Sequence, residues 1–332
     1  MSTKRKKVVV FRAIPQDLLD KINQHHDVVI TEPRNPSGFE QFIQEIEDAS
    51  GLLGSSIKLG RHELAGARQL EVISSISVGV DNYDHAALHA RGIALCHTPG
   101  VLTETTADTI FGLILCTMRR MPELAQYVRN GHWNRNIDED LFGWDVHGKT
   151  LGILGFGRIG QALAKRAALG FGMQVIFHTS TEFPLRPEMG DLRQMSLAEV
   201  LRNSDVLVST LPLTDTTRGL LDANAFAAMK PGAVFVNGSR GAVVSEQALL
   251  SALNSGHLRA AGLDVFETEP LPLDSPLRTH AKVTALPHIG SATHETRRAM
   301  AEMATENLLL FLAGKSPLAK FELNPQAGAS TS

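Results

Sequence analysis

A glycine-rich turn between an apolar run and a helical pattern constrains this chain more than any other feature. Residues 151–154 are apolar and predict a buried strand, and an alanine- and leucine-rich segment follows the turn at once. Gly155 allows a tight turn, Gly157 lets a pyrophosphate approach the backbone, and Gly160 lets the helix pack closely. The motif alone is weak, but its place between strand and helix predicts dinucleotide binding. The predicted phosphate contacts are Gly155, Gly157, Arg158, Ile159 and Gly160.

Composition narrows the class of protein. The 332 residues are enough for two domains, and 43% apolar with 20% charged residues is typical of a soluble globular protein. A net charge of -3 argues against nucleic acid as a partner, and no apolar run is long enough to span a membrane. Only two cysteines occur, Cys96 and Cys116, without metal-ligand spacing, which favours a reducing cytoplasm and no metal.

The first hundred residues alternate short β-branched runs with helical patterns, which predicts a parallel α/β sheet. This region has no glycine motif of its own. Strands are predicted at residues 7–11, 27–30, 51–54, 70–76 and 93–96. Helices are predicted at residues 15–24, 39–49, 59–67 and 85–91.

Two helical patterns, at residues 103–119 and 121–130, precede a long irregular stretch at 131–148. This stretch contains both tryptophans, Trp133 and Trp144. A long loop with exposed aromatic side chains is often an interface, so we expect it to contact the partner in a homodimer. The alternative is that both rings fill core beneath the loop.

A second series of strands begins at the glycine motif. Six are predicted, at residues 151–154, 174–177, 205–209, 233–237, 260–264 and 282–285, and a last helix at 291–313 is predicted to return to the first domain. The fold class is therefore α/β with two doubly wound parallel sheets, a flavodoxin-like substrate domain and a Rossmann nucleotide domain, with the active-site cleft between them. The predicted bounds are residues 1–100 plus 288–325 for the substrate domain and 101–287 for the nucleotide domain, with a disordered tail at 326–332.

From about residue 8 to residue 325 the chain resembles the D-isomer-specific 2-hydroxyacid dehydrogenases. The matching stretches are residues 77–82 (SVGVDN), 155–160 (GFGRIG), 211–214 (LPLT), 237–241 (NGSRG), 262–270 (GLDVFETEP) and 287–293 (PHIGSAT). Residues 145–149 and 288–297 are most similar to the bacterial glyoxylate/hydroxypyruvate reductase and 2-ketogluconate reductase group. The resemblance implies reduction of a small 2-keto acid to the D-2-hydroxy acid by hydride from NAD(P)H.

Three residues are expected to carry the chemistry. Arg240 follows a strand end and suits the substrate carboxylate and keto oxygen, because a guanidinium binds two oxygens at once. His288 is the expected proton donor, since an imidazole titrates near neutrality. Chemistry alone does not separate Glu267 from Glu269 as the acid partner of the imidazole, but the resemblance assigns this role to Glu269.

The resemblance also implies further contacts. The backbone N–H groups of Val78 and Gly79 are expected to bind the substrate carboxylate, and Asp264 to accept a hydrogen bond from the nicotinamide carboxamide. Lys58 would meet a longer polar substrate or lie in solvent. The other expected cofactor contacts are Thr106, Leu211, Pro212, Thr217 and Gly290.

The loop after the second strand of the nucleotide domain bears on the cofactor. NAD-specific sites place an acid there, but His178, Thr179, Ser180 and Thr181 carry none. These side chains can donate hydrogen bonds to a 2′-phosphate, so NADP(H) is favoured and NAD(H) is the alternative. Close relatives usually have an arginine in this loop, and Arg186 is the nearest substitute here.

Two other functions remain open at this point. A non-catalytic dinucleotide-sensing protein of corepressor type has the same fold, but it needs no proton donor. Other D-2-hydroxyacid dehydrogenases, of D-lactate or phosphoglycerate type, share the chemistry. The choice among glyoxylate, hydroxypyruvate and 2-ketogluconate is expected to depend on loops 55–58 and 131–144.

Overall fold

The computed structural model describes residues 5–184 and 191–323, which form two units. The first unit holds the described residues up to Leu102 and from Ala292 onward, and the second runs from Thr103 to Ser291. Residues 288–291, assigned to the first domain from the sequence, therefore lie in the second unit. They are held there because the buried carboxylate of Asp264 accepts the N–H groups of Ile289 and Gly290. The predicted tail at 326–332 lies outside the described residues.

The strands belong to two parallel sheets, one in each unit. They are β1 (Lys7–Val10), β2 (Asp27–Ile30), β3 (Gly51–Gly54), β4 (Val72–Ser75), β5 (Ala94–Cys96), β6 (Thr150–Leu154), β7 (Gln174–His178), β8 (Leu192–Gln194), β9 (Val206–Ser209), β10 (Val234–Asn237), β11 (Ala260–Leu263) and β12 (Val283–Ala285). The helices are α1 (Gln16–Asn23), α2 (Pro36–Glu45), α3 (His85–Ala90), α4 (Thr103–Met118), α5 (Met121–Arg129), α6 (Arg158–Lys165), α7 (Leu197–Asn203), α8 (Ala223–Ala227), α9 (Glu246–Asn254) and α10 (His294–Leu312).

The sheet of the first unit has the strand order β2-β1-β3-β4-β5, which is the flavodoxin-like order. Its central strands are buried on both faces, as parallel strands under helices must be. The last helix, α10, packs on β3 and β4. Ser74 donates to the carbonyl of Ala304 at 2.7 Å, and a Cβ on Gly51 would lie 2.8 Å from Leu308. The end of the chain thus completes the core of this unit.

The sheet of the second unit has seven strands in the order β12-β11-β10-β9-β6-β7-β8. Numbered within the unit, its first six strands follow the order 3-2-1-4-5-6 of a Rossmann fold, with β12 added at one edge. Helix α4 packs against β10, β11 and β12 and buries an apolar face that includes Ile110 and Ile114. The predicted fold class is confirmed for both sheets.

Two element predictions were wrong. Residues 59–67 were predicted as a helix, but Leu59 forms an isolated bridge with Tyr83 and residues 61–66 form consecutive turns. Glu63 accepts the N–H of Gly60 at 2.8 Å. The two glycines of this stretch, Gly60 and Gly66, weaken a helix that local pattern alone favoured. The second sheet also has one strand more than predicted, because β8 is only three residues long and carries the polar Arg193 and Gln194. The helix predicted at 39–49 begins earlier, at Pro36, after the N-cap of Asn35, and ends at Glu45.

Candidate active site

The turn between β6 and α6 has the geometry expected of a phosphate-binding loop. Gly155 has a φ of +91°, and a Cβ there would lie 3.0 Å from the backbone of residues 210 and 211. A Cβ on Gly160 would lie 2.4 Å from the carbonyl oxygen of Gly155, so the helix can approach only without a side chain. Apart from its two neighbours in the chain, no described residue has an atom within 4 Å of the Cβ position of Gly157. The backbone there is open to a ligand, so the loop fits a dinucleotide pyrophosphate.

The carboxyl end of β7 lies beside this turn, because β6 and β7 are paired. His178 is half-buried and its Nδ1 lies 3.2 Å from the carbonyl of Met195. Thr179 is also half-buried and Ser180 is exposed, and no carboxylate occurs between β7 and Glu182. Arg186, the substitute considered from the sequence, lies outside the described residues.

The loop after β9 is held together by its own hydroxyl groups. Thr217 donates to the carbonyl of Pro212 at 2.6 Å and accepts the N–H of Thr214 at 2.8 Å. Leu211 is half-buried, and its N–H group lies near Gly155, as the Cβ position of that glycine shows. Leu211 therefore lies beside the glycine turn.

Arg240 follows β10 on a segment with a hydrogen-bonded backbone. The side chain of Asn237 donates to the carbonyl of Arg240 at 3.1 Å and accepts both the N–H and the hydroxyl of Ser239. Gly241 lies against the backbone of residues 266–267, where a Cβ would be 1.8 Å from the carbonyl carbon of Phe266. This contact holds the Arg240 segment against the segment that carries Glu269.

Asp264, at the end of β11, has a role that the sequence did not reveal. Its side chain is 3% exposed, and its two oxygens accept the N–H groups of Ile289 at 2.7 Å and Gly290 at 2.9 Å. Burial raises the pKa of Asp264 even though these hydrogen bonds act in the opposite direction. Thr106 of α4 packs beside Gly290, since a Cβ on that glycine would lie 3.3 Å from its methyl group. Asp264 thus fixes the turn that follows His288.

Glu269 and His288 form the central pair of the site. Nδ1 of His288 lies 2.7 Å from one carboxylate oxygen of Glu269, and the other oxygen accepts the N–H of Phe266 at 3.0 Å. Burial alone would raise the pKa of Glu269, but these hydrogen bonds and the charge of Arg240 hold it below its ordinary value. The backbone of His288 is left-handed, with a φ of +54°. The pair holds an acid and an imidazole in contact, with the ring's Nε2 directed away from Glu269.

Glu267, the other candidate acid, is used elsewhere. One of its oxygens accepts the N–H of Glu246 at 2.7 Å, and Glu246 accepts the N–H of Glu267 at the same distance. Burial and the charge of Glu267 raise the pKa of Glu246. These reciprocal bonds fasten the Glu269 segment to the start of α9.

The sequence of this chain matches proteins of known family. A model of the "D-isomer specific 2-hydroxyacid dehydrogenase, NAD binding domain" matches residues 111–290. The chain is 48% identical over 319 residues to a glyoxylate/hydroxypyruvate reductase B of Citrobacter koseri, covering 96% of this chain and 98% of that protein. This chain belongs to the D-isomer-specific 2-hydroxyacid dehydrogenase family. The resemblance inferred from the sequence is confirmed, and with it an NAD(P)-dependent dehydrogenase.

Two solved structures are similar to this chain over almost its full length. A Thermus thermophilus protein has a TM-score of 0.87 at 42% identity, over 95% of this chain and 100% of that one. An NADPH-dependent glyoxylate/hydroxypyruvate reductase of Sinorhizobium meliloti, in complex with NADP and malonate, has a TM-score of 0.84 at 31% identity, over 99% of this chain and 100% of that one.

Two predicted substrate contacts lie in the first unit of the dehydrogenase. Val78 and Gly79 follow β4 and are half-buried, and their N–H groups have no acceptor among the described residues. The carbonyl groups point elsewhere, since Ser77 donates to that of Gly79 and Nδ1 of His97 lies 3.1 Å from that of Val78. Lys58 is exposed.

The described part of the dehydrogenase contains neither a candidate metal site nor a candidate membrane-spanning helix. Residues 5–184 and 191–323 contain no group of three or more histidine, cysteine, aspartate or glutamate side chains that could hold a metal ion. Within the same ranges, no helix has both the length and the apolar character that crossing a bilayer requires.

Proposed function

We propose that this dehydrogenase reduces a small 2-keto acid, glyoxylate, hydroxypyruvate or 2-ketogluconate, to the D-2-hydroxy acid with NADPH as the favoured reductant. The observation that carries the proposal is the 2.7 Å contact between Glu269 and His288, with Arg240 near enough to lower the pKa of Glu269. A reduction of this kind needs an anchor, a proton donor and an orienting acid, and these three residues supply them.

Each residue then has a defined task. Arg240 binds the substrate carboxylate and keto oxygen and polarises the carbonyl group. A bound nicotinamide supplies the hydride to the keto carbon. Nδ1 of His288 faces Glu269, so Nε2 carries the proton that passes to the keto oxygen as negative charge develops there. Glu269 binds Nδ1 and keeps the ring oriented.

The loop after β7 supports NADPH. Thr179 and Ser180 present hydroxyl groups and no carboxylate, so a 2′-phosphate would meet donors and no repulsion. The Sinorhizobium relative is described as NADPH-dependent and was solved with NADP. NADH is the alternative reductant and should retain part of the activity.

The relatives favour glyoxylate and hydroxypyruvate as substrates. The protein that is 48% identical carries that name, and the Sinorhizobium reductase carries it with malonate bound. For substrate binding we propose Arg240 together with the N–H groups of Val78 and Gly79. For the cofactor we propose Thr106, Gly155, Gly157, Arg158, Ile159, Gly160, His178, Thr179, Ser180, Leu211, Pro212, Thr217, Asp264 and Gly290.

The direct test is loss of nicotinamide absorbance when NADPH or NADH is mixed with each of the three keto acids. We expect oxidation of NADPH with glyoxylate and hydroxypyruvate, and in reverse we expect D-glycerate to be oxidised and L-glycerate not. Oxidation of the L-isomer would contradict the stereochemical assignment. Absence of turnover in every combination, with cofactor binding retained, would instead support a dinucleotide-sensing protein.

A homodimer is also proposed. Trp133 is 63% exposed, and Val128 and Phe142 are about half exposed, so α5 and the loop at 131–148 present an apolar surface. The interpretation that both tryptophans fill core does not hold for Trp133. Trp144 is less exposed, and the guanidinium of Arg259 lies 4.1 Å from its ring. The cytoplasmic location inferred from composition stays a prediction.

A further inference from the structure

Two arginines of the first unit are partly buried without a carboxylate partner. Arg12 follows β1, and Arg297 lies one turn into α10. Neither forms an ion pair with any described residue, and Arg297 has no side-chain hydrogen bond within the described ranges. The next residue behaves differently, because Arg298 binds Asp17 with two hydrogen bonds and Glu302 with one. Unpaired guanidinium groups in such a setting are unusual, since a desolvated charge normally has a counter-charge.

The side chains around Arg12 are either neutral and polar or positively charged. Its Nη1 donates to the hydroxyl of Ser55 at 2.6 Å and to that of Ser56 at 3.1 Å. Burial, followed by the charges of Arg297 and Arg34, lowers the pKa of Arg12. Burial also lowers the pKa of Arg297. Both shifts have the direction expected of cations that no anion neutralises.

Arg12, Ser55 and Ser56 lie at the same end of the sheet as the proposed substrate contacts. Arg12 follows β1, Ser55 and Ser56 follow β3, and Val78 and Gly79 follow β4. Strand β3 lies between β1 and β4 in a parallel sheet, so all three segments leave the sheet at the same edge. Ser56 has a left-handed backbone with a φ of +67°, outside the range of a regular helix or strand. Its hydroxyl accepts a hydrogen bond from Arg12. Ligands of open α/β sheets bind at this edge.

We propose that Arg12, Arg297 and the hydroxyl groups of Ser55 and Ser56 form a subsite for a second anionic group on the substrate. Among longer 2-keto acids, those whose far end carries a carboxylate or a phosphate are then preferred over matched keto acids with an uncharged far end. This inference rests on the proposed function, because it places the keto acid head at Val78 and Gly79. A guanidinium pair can take a carboxylate or phosphate through charge-assisted, bidentate hydrogen bonds.

The test compares substrates that differ only at the far end. The carboxylate arm compares 2-oxoglutarate with 2-oxopentanoate, and the phosphate arm compares 3-phosphohydroxypyruvate with hydroxypyruvate. In the wild type we expect kcat/KM for the keto acid with the charged far end to exceed kcat/KM for its uncharged counterpart by about tenfold or more in one of the two comparisons. Arg297→Met and Arg12→Met should bring this ratio close to one, and Arg297→Lys should restore part of it. Arg298→Met, whose charge is already paired, is the matched control and should keep the wild-type ratio.

A wild-type enzyme without preference for either dianion, or an Arg297→Met variant with the preference intact, would overturn the subsite. Selective loss of 2-ketogluconate reduction in that variant, with the dianion ratio unchanged, would also overturn it in favour of a neutral polyhydroxy tail.

A binding measurement separates this inference from the proposed function. Glutarate should raise the midpoint of thermal unfolding more than pentanoate at equal ionic strength in the wild type and in Arg298→Met, but not in Arg297→Met. If this difference appears in a protein that reduces no keto acid, the subsite stands and the proposed function fails. If glyoxylate is reduced and glutarate has no advantage over pentanoate, only the subsite fails.

Discussion

Glu269 holds the imidazole of His288 with one carboxylate oxygen and the N–H of Phe266 with the other. A backbone hydrogen bond therefore fixes the position of the carboxylate that orients the ring. Its pKa lies below the ordinary value, so the carboxylate stays ionised throughout the pH range in which an imidazole titrates. An ionised carboxylate at 2.7 Å from Nδ1 fixes the orientation of the ring.

Replacing Glu269 with Gln should shift the pH profile of kcat/KM for reduction to lower pH. The amide keeps the size of the side chain but removes the negative charge that lies 2.7 Å from the imidazole. The matched control is Glu267→Gln, since Glu267 binds the N–H of Glu246 and not the imidazole. A profile that is the same in Glu269→Gln and the wild type would remove Glu269 from this role.

Replacing Arg240 with Ala should reduce turnover by about a thousandfold while cofactor binding, followed by fluorescence titration, changes little. Arg240→Lys should recover only a small part, because an ammonium lacks the planar pair of donors. The control is Arg278→Ala, whose exposed side chain binds the carbonyl of Leu273 in the same unit. Turnover that survives in Arg240→Ala would exclude the anchoring role.

Replacing Ser180 with Asp should lower kcat/KM for NADPH by about tenfold or more and leave that for NADH much less affected. The new carboxylate would repel a 2′-phosphate but accept a hydrogen bond from a 2′-hydroxyl. Gln174→Glu adds the same charge at the other, exposed end of β7 and should leave the ratio of the two cofactors unchanged. If both variants have the wild-type ratio, the loop after β7 does not select the cofactor.

The left-handed backbone of His288 predicts a difference between two inactive variants. Asn adopts this conformation readily and a β-branched residue does not, so His288→Val should be less stable than His288→Asn by about 1–2 kcal/mol. Chemical denaturation measures the difference. His147 is exposed and has no positive φ, so the corresponding Asn and Val variants there should differ much less. Equal stability of the two His288 variants would contradict the strain.

The apolar surface of α5 and the loop at 131–148 predicts the oligomeric state. In sedimentation or light scattering we expect the wild type to have the mass of a dimer, and Val128→Asp and Trp133→Asp to have that of a monomer. Leu273→Asp is the control, because Leu273 is 87% exposed but lies outside this surface. A wild-type monomer would refute the proposal.

The sequence predicted the elements whose pattern is strong. The apolar strands, the glycine turn and the last helix were all found within a few residues of their predicted bounds. Residues 59–67 were misassigned, because the local helical pattern did not take account of the cost of Gly60 and Gly66 in a helix. Strand β8 has no apolar run, and only its pairing with β7 makes it a strand.

Part of the candidate site was also hidden from the sequence. The motifs predicted Arg240, Glu269 and His288, and the structure places the last two in contact. They did not predict that Asp264 binds the N–H groups of Ile289 and Gly290, because a strand-end acid has no local signal for a partner about 25 positions away. The unpaired state of Arg297 was equally invisible, since only tertiary structure shows which of two adjacent arginines has a carboxylate partner.

The packing of α10 on β3 and β4 has a consequence for how the chain folds during synthesis. The second unit is a continuous segment from Thr103 to Ser291, so it can fold as soon as that segment has left the ribosome. The first unit is translated first but finished last. Its sheet lacks the cover of α10, including Leu308 over Gly51, until residues 294–312 have been made. The apolar face of its early strands therefore stays uncovered while the whole second unit is synthesised. During this interval the chain exposes the most apolar surface to which a chaperone could bind.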